Sequence, residues 1–223
     1  MTASGLAIWR TGWRSFRSGG ERLLAPVLAA GLAWVILQTL VQWVLDDAVA
    51  RTRPCTRHVG DLIEVTHCPA GDAAATTSAV LGTYAFCVLG LLFWFVVLRT
   101  VLGERSAPLR AVAFPALSLA VILGSLLTLG IGFGFLPGVV IAMACQFAAL
   151  AVLTQGRNGP AALLDSVRLT LRRPLPVILF SAIALLVLGA GAALLVVGLW
   201  PATVLIALAQ VRFRDLSAPI GPA

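Results

Sequence analysis

The sequence predicts an all-α integral membrane helical bundle: six transmembrane helices paired as three hairpins, both termini cytoplasmic, with amphipathic helices on the cytoplasmic membrane surface. Three observations lead there. The first is composition: 60% of the 223 residues are hydrophobic and 11% are charged, against about 45–50% and ~25% in a soluble domain. With a mean hydropathy of +0.99, a water-soluble fold of this length would lack polar surface. The second is segmentation, because apolar runs recur near the ~20 residues that cross a bilayer, separated by short polar connections. The third is the placement of arginine, which alone supplies the basic charge; there is no lysine. On a soluble domain a pI near 10.9 would point to nucleic acid. In a membrane chain basic residues set topology, and no nucleic-acid partner is expected.

The elements follow in order. Over residues 5–18, Leu6, Trp9, Trp13 and Phe16 fall on one face at about 100° per residue. Arg10, Arg14 and Arg17 form a ridge beside it. Aromatics flanked by arginine suit the headgroup boundary, so an interfacial helix is expected; the alternative is a basic leader that only sets orientation. Residues 23–45 form the first span, uncharged between Arg22 and Asp46. Ala48-Val49-Ala50 has the small-x-small form of a cleavage site, but the run before it exceeds the ~7–15 residues of a signal core. An uncleaved span is therefore expected, with cleavage the alternative. Residues 46–78 form the extracytoplasmic loop, and 79–98 the second span, closed by Arg99. Residues 111–129 and 136–153 form the third and fourth, separated by Gly130, Gly132, Gly134, Pro137 and Gly138, which break the helical pattern into a hairpin.

A second interfacial helix is expected over 158–173. Asn158-Gly159-Pro160 supplies its start, since proline at an early helical position gives up no needed N–H. Leu163, Leu164, Val167 and Leu171 share one side, and Asp165, Arg168 and Arg172 the other. Pro174 ends it. Residues 175–198 form the fifth span, Trp200-Pro201 punctuates the chain, and 202–214 form a shorter sixth.

Arginine decides the orientation. With six spans, 13 arginines fall on the cytoplasmic side and 3 (Arg51, Arg53, Arg57) outside, as the positive-inside rule requires. A five-span reading with an interfacial tail would strand Arg212 and Arg214 outside. The expected location is the cell (cytoplasmic) membrane, multi-pass and of bacterial type.

Candidate chemistry is sparse. Cys55, His58, His67 and Cys68 lie in the extracytoplasmic loop. Their spacing matches no strong zinc signature, and an oxidising compartment favours a Cys55–Cys68 disulfide; bound metal and free thiols are the alternatives. Cys87 and Cys145 sit in apolar runs as packing residues. No charged residue lies within a proposed span apart from Arg212 and Arg214 at the cytoplasmic end of the sixth, which argues against proton coupling and voltage sensing. Gln38, Thr39, Gln42, Ser118, Ser125, Thr128 and Gln146 are polar at depth. They read either as a pathway or as interhelical hydrogen bonds of ~0.6 kcal/mol each. Phosphate-loop, zinc-protease and serine-hydrolase motifs are missing.

The C-terminal half carries a resemblance. Leu136-Pro137-Gly138 opens the fourth span and Ala151-Val152-Leu153 ends it. Gln155-Gly156, Gly159-Pro160-Ala161-Ala162-Leu163, Ser166 and Arg168-Leu169-Thr170 follow. This pattern resembles the multi-span membrane domain of glycerophosphoryl diester phosphodiesterases and its stand-alone bacterial relatives, over roughly residues 136–214. Gln155 replaces a commonly acidic residue, and Val167 a position where an aromatic often follows the serine. The resemblance implies a fold. It carries over no phosphodiesterase activity, since the catalytic domain is not in this chain. The functional expectation is a non-enzymatic accessory or scaffold subunit, needing no cofactor or metal and acting with membrane lipids or a membrane-protein partner. The alternative is a small transporter or permease component for an apolar or amphipathic substrate.

Overall fold

The computed structural model describes residues 5–51, 56–59, 62–65, 69–193 and 198–217. Among these the chain forms the helices α1 (Gly5–Gly19), α2 (Glu21–Arg51), α3 (Pro69–Leu102), α4 (Leu109–Gly132) and α5 (Phe135–Cys145). They are followed by α6 (Ala148–Gln155), α7 (Gly159–Arg172), α8 (Pro174–Ala193) and α9 (Leu199–Ser217). Between α2 and α3 lies a two-stranded antiparallel hairpin, β1 (Thr56–Val59) with β2 (Leu62–Val65), in the register Thr56↔Val65 to Val59↔Leu62. Five helical stretches are long and apolar enough to cross a membrane: Arg22–Arg51, Ala73–Arg105, Leu109–Gly132, Leu136–Gln155 and Pro174–Ala193. The protein is a helical membrane protein.

At 1.5 Å per residue, α2 and α3 reach about 46 Å and 51 Å. A hydrocarbon core is only ~30 Å thick, so the helices outrun the expected spans 23–45 and 79–98 and continue toward the hairpin. The connection between the first two spans is thus shorter and more structured than its polar composition implied. Cys55, His67 and Cys68 lie outside the described residues, and so does the expected disulfide; the described cysteines, Cys87 and Cys145, are unbridged.

The expected fourth span is broken. α5 stops at Cys145, Gln146 and Phe147 form a turn, and α6 resumes at Ala148. No glycine or proline stands at the break, so its cause is tertiary.

α9, the expected sixth span, falls outside the five stretches above, yet much of it is buried. Ala202, Val204, Ala207, Ala209, Gln210 and Phe213 are all buried, and α1, α2, α3 and α8 pack around it. A helix clad in protein rather than lipid need not be apolar all round, which is why hydropathy undervalues it.

The two expected surface helices also pack one side against the bundle. On α7, Leu163 and Val167 are partly packed against the core. Its inner face is the small-residue row Gly159, Ala162 and Ser166, packed against α4, α5 and α6, while Leu164 and Leu171 are exposed. The row permits a close approach: a Cβ on Gly159 would stand 2.6 Å from Ser118 Oγ and 2.9 Å from the Leu119 backbone nitrogen. Apolar periodicity finds bulky faces and passes over faces made of glycine, alanine and serine, although such residues are favoured at membrane helix contacts. α1 is likewise half inside. Ile8 and Trp9 are buried, and a Cβ on Gly12 would sit 3.4 Å from Ala209 of α9.

Candidate functional site

The break in the fourth span organises the interior. Interrupting a helix frees backbone groups that must find partners, because a buried orphan costs about 1–3 kcal/mol. Three neighbouring side chains meet that need. Ser166 of α7 donates to the Ala144 carbonyl at 2.8 Å and accepts from the Phe147 N–H at 3.2 Å. Thr170 also reaches the Ala144 carbonyl, at 3.4 Å. From the opposite side, the Gln210 amide of α9 donates to the Gln146 carbonyl. Ser181 of α8 donates to the Gln146 side-chain oxygen at 3.2 Å, sharing its proton with the Val177 carbonyl at 2.9 Å. The break is therefore built by α7, α8 and α9 together.

Aromatic rings consolidate the same region. Phe147 stacks on Phe213 at 5.0 Å and approaches Phe180 at 5.8 Å, and Phe180 lies 5.5 Å from Phe213. Trp9 completes the cluster by stacking on Phe180 at 5.4 Å. Trp9, expected at the membrane interface, therefore packs α1 onto the protein interior. Phe16 is partly packed on the same core. The outward face of α1 keeps Arg10, Arg14 and Arg17 exposed, with Trp13 45% exposed and capped by the Arg17 guanidinium at 5.3 Å.

A cavity opens on each side of the broken helix. The larger, about 570 Å³, is lined by Arg157, Arg168, Arg172, Arg173, Arg214 and Asp165, with Phe147 and Ser166 among its walls. Five arginines against one aspartate leave a formal charge of +4. Asp165 offsets Arg157 only loosely, at 3.7 Å with both side chains partly exposed, a geometry worth ~0–1 kcal/mol. Arg214 is the least exposed of the five. Its Nη1 is buried and has no hydrogen-bond partner, and its nearest compensating charges are Asp165 and Asp215. Concentrated arginine with an unpaired guanidinium nitrogen suits a phosphate or carboxylate, whose oxygens accept paired N–H donors. The volume lies within the roughly 300–1,000 Å³ of small-ligand pockets.

The smaller cavity, about 170 Å³, adjoins Gln146 and Gln210 amid apolar side chains. Phe147 faces the first cavity and Phe180 the second, so the aromatic cluster divides them.

Arg168 and Arg172, expected at the membrane interface, line the larger cavity with Arg157, Arg173 and Arg214, which the sequence offered only as topology markers. Nothing in their spacing announces the cavity, because three separate segments supply them. Gln146 was visible as a polar residue at depth. Ser166 was legible only within the resemblance. Gln210 carried no signal of its own. The other polar residues at depth include Thr39, Ser118, Ser125 and Thr128, which bond carbonyls of their own helices and line neither cavity.

Comparison with protein-family models, with curated proteins and with solved structures returned no match.

Proposed function

We propose that this chain is a six-span protein of a bacterial-type cell membrane, with both termini cytoplasmic, whose arginine cavity holds the phosphate headgroup of an anionic lipid. It acts as a non-enzymatic accessory subunit that presents or senses that lipid beside a membrane-protein partner. The observation that carries this reading is the cavity itself: five arginines, one loosely paired aspartate, and a buried Arg214 Nη1 without a partner. The charge count of the six-span reading, 13 against 3 arginines, supports a cytoplasmic-leaflet position for the cavity. Basic pockets between membrane helices on that side suit anionic headgroups, and each basic group contributes about 1 kcal/mol near an anionic surface. The resemblance to the membrane domain of glycerophosphoryl diester phosphodiesterases accords with a lipid-associated role without specifying one.

The test is thermal unfolding in nanodiscs of defined lipid. Anionic phosphatidylglycerol should raise the midpoint over zwitterionic phosphatidylcholine, and Arg214→Gln should remove most of that difference. Equal midpoints in the two lipids for the wild-type protein would overturn the proposal.

A second reading, a permease component for an amphipathic substrate, is favoured by one observation: the fourth span is discontinuous and has a cavity on each side. Broken helices beside a mid-membrane site are a recurrent transporter device. Counterflow of an anionic amphiphile into vesicles containing only this protein would favour that reading over the first.

A further inference from the structure

The smaller cavity carries a second proposal, independent of the arginine cavity. Its walls are largely hydrocarbon, from Leu91, Trp94, Leu123, Phe180 and Ile206. Two amides interrupt them. Gln210 is 2% exposed, and its Nε2 is committed to the Gln146 carbonyl, which fixes the orientation of the group. The Gln210 Oε1 is left buried with no donor, and the Gln146 Nε2 is left buried with no acceptor. Both residues line the chamber, so one unmet acceptor and one unmet donor lie in its otherwise apolar wall.

We infer that this chamber is a binding site for a small apolar alcohol, or for the hydroxyl-bearing end of a larger apolar molecule. A hydroxyl oxygen accepts from Gln146 Nε2 while its proton goes to Gln210 Oε1, so one polar atom answers both groups. Water alone answers them poorly. A buried water needs two to four polar partners, and the two amides satisfy about one molecule in a space of about 170 Å³. The remaining volume matches a hydrocarbon of roughly benzene size, which occupies cavities near 150 Å³ in other proteins. A carboxylate is disfavoured because no cationic side chain lines the chamber. A plain alkane would leave both amides unpaired.

The test is photolabelling of the full chain in phosphatidylcholine vesicles with a diazirine-bearing hexanol, followed by peptide mapping. Labels are expected on cavity residues such as Leu91, Trp94 and Cys145. Hexanol should compete them away, and hexane should compete about fivefold less well, the value of roughly one neutral hydrogen bond. Gln210→Met should weaken labelling by a similar factor. Ala149→Leu, which fills the chamber from its wall, should abolish it. Labels confined to lipid-facing residues such as Leu186 would overturn the proposal and leave the chamber to water. Equal competition by hexane and hexanol would overturn it too, because the amides would then contribute nothing. Both contrary results are read on the wild-type protein, so they stand even if a variant fails to fold.

Discussion

Replacing Ser166 by alanine tests whether the broken span is held from outside. The hydroxyl serves both sides of the break, donating to the Ala144 carbonyl at 2.8 Å and accepting from the Phe147 N–H at 3.2 Å. The residue is 2% exposed, so water does not readily replace either bond. Membrane-protein side-chain hydrogen bonds average ~0.6 kcal/mol and reach ~1.7, which puts two of them at or above about 1 kcal/mol. Stranding a buried backbone group costs about 1–3 kcal/mol, but Thr170 already shares the Ala144 carbonyl at 3.4 Å and softens that loss. The expected destabilisation is therefore about 1–2 kcal/mol. Serine and alanine differ little in volume, so no packing term confuses the result. The assay is reversible unfolding in mixed micelles titrated with a denaturing detergent, with Ser125→Ala as reference, because the Ser125 hydroxyl bonds only the Val121 carbonyl of its own helix. If Ser166→Ala unfolds within ~0.3 kcal/mol of Ser125→Ala, the reasoning about orphaned backbone groups is wrong.

Further predictions follow from the same contacts. Gly159→Ala should destabilise by about 1–3 kcal/mol through overpacking, because its methyl would meet Ser118 and the Leu119 backbone; the same unfolding assay reads it. Trp9→Ala should lower stability well beyond Trp13→Ala, since Trp9 is 8% and Trp13 45% exposed, and thermal unfolding in a single detergent compares them. Cys55 and Cys68 should appear as one linked peptide under non-reducing mass mapping of protein taken from the membrane. Two alkylatable thiols there would end that expectation.

The sequence was most informative where lipid meets the chain. The apolar runs over 23–45, 79–98 and 111–129, and residues 175–193 of the fifth, each lie on a single helix, with 194–197 outside the described residues and Gly198 in a turn, because a lipid-facing helix must be apolar along its length. The same logic fails inward. α9 is wrapped by other helices and carries Gln210 and Thr203, so hydropathy ranks it low although it is central. α7 contacts its neighbours through Gly159, Ala162 and Ser166, a face with almost no hydrophobic amplitude. The break at Gln146-Phe147 has no local breaker, since its partners come from residues 166, 170, 181 and 210, far along the chain. The hairpin Thr56–Val65 did have a signal, a Gly60-Asp61 pair between short β-branched runs, which the polar composition of the loop masked. The arginine cavity was hidden for a related reason: Arg157, Arg168 and Arg214 belong to different segments, and each alone satisfies the topology rule.

The most direct test of the proposed role is native mass spectrometry of the protein released from vesicles containing equal phosphatidylglycerol and phosphatidylcholine. Two arginines at about 1 kcal/mol each correspond to roughly a thirtyfold change in affinity. Wild-type protein should retain phosphatidylglycerol preferentially, and the Arg172→Gln/Arg214→Gln double variant should lose that preference while remaining folded. Retention of both lipids in equal measure by the wild-type protein would contradict the account.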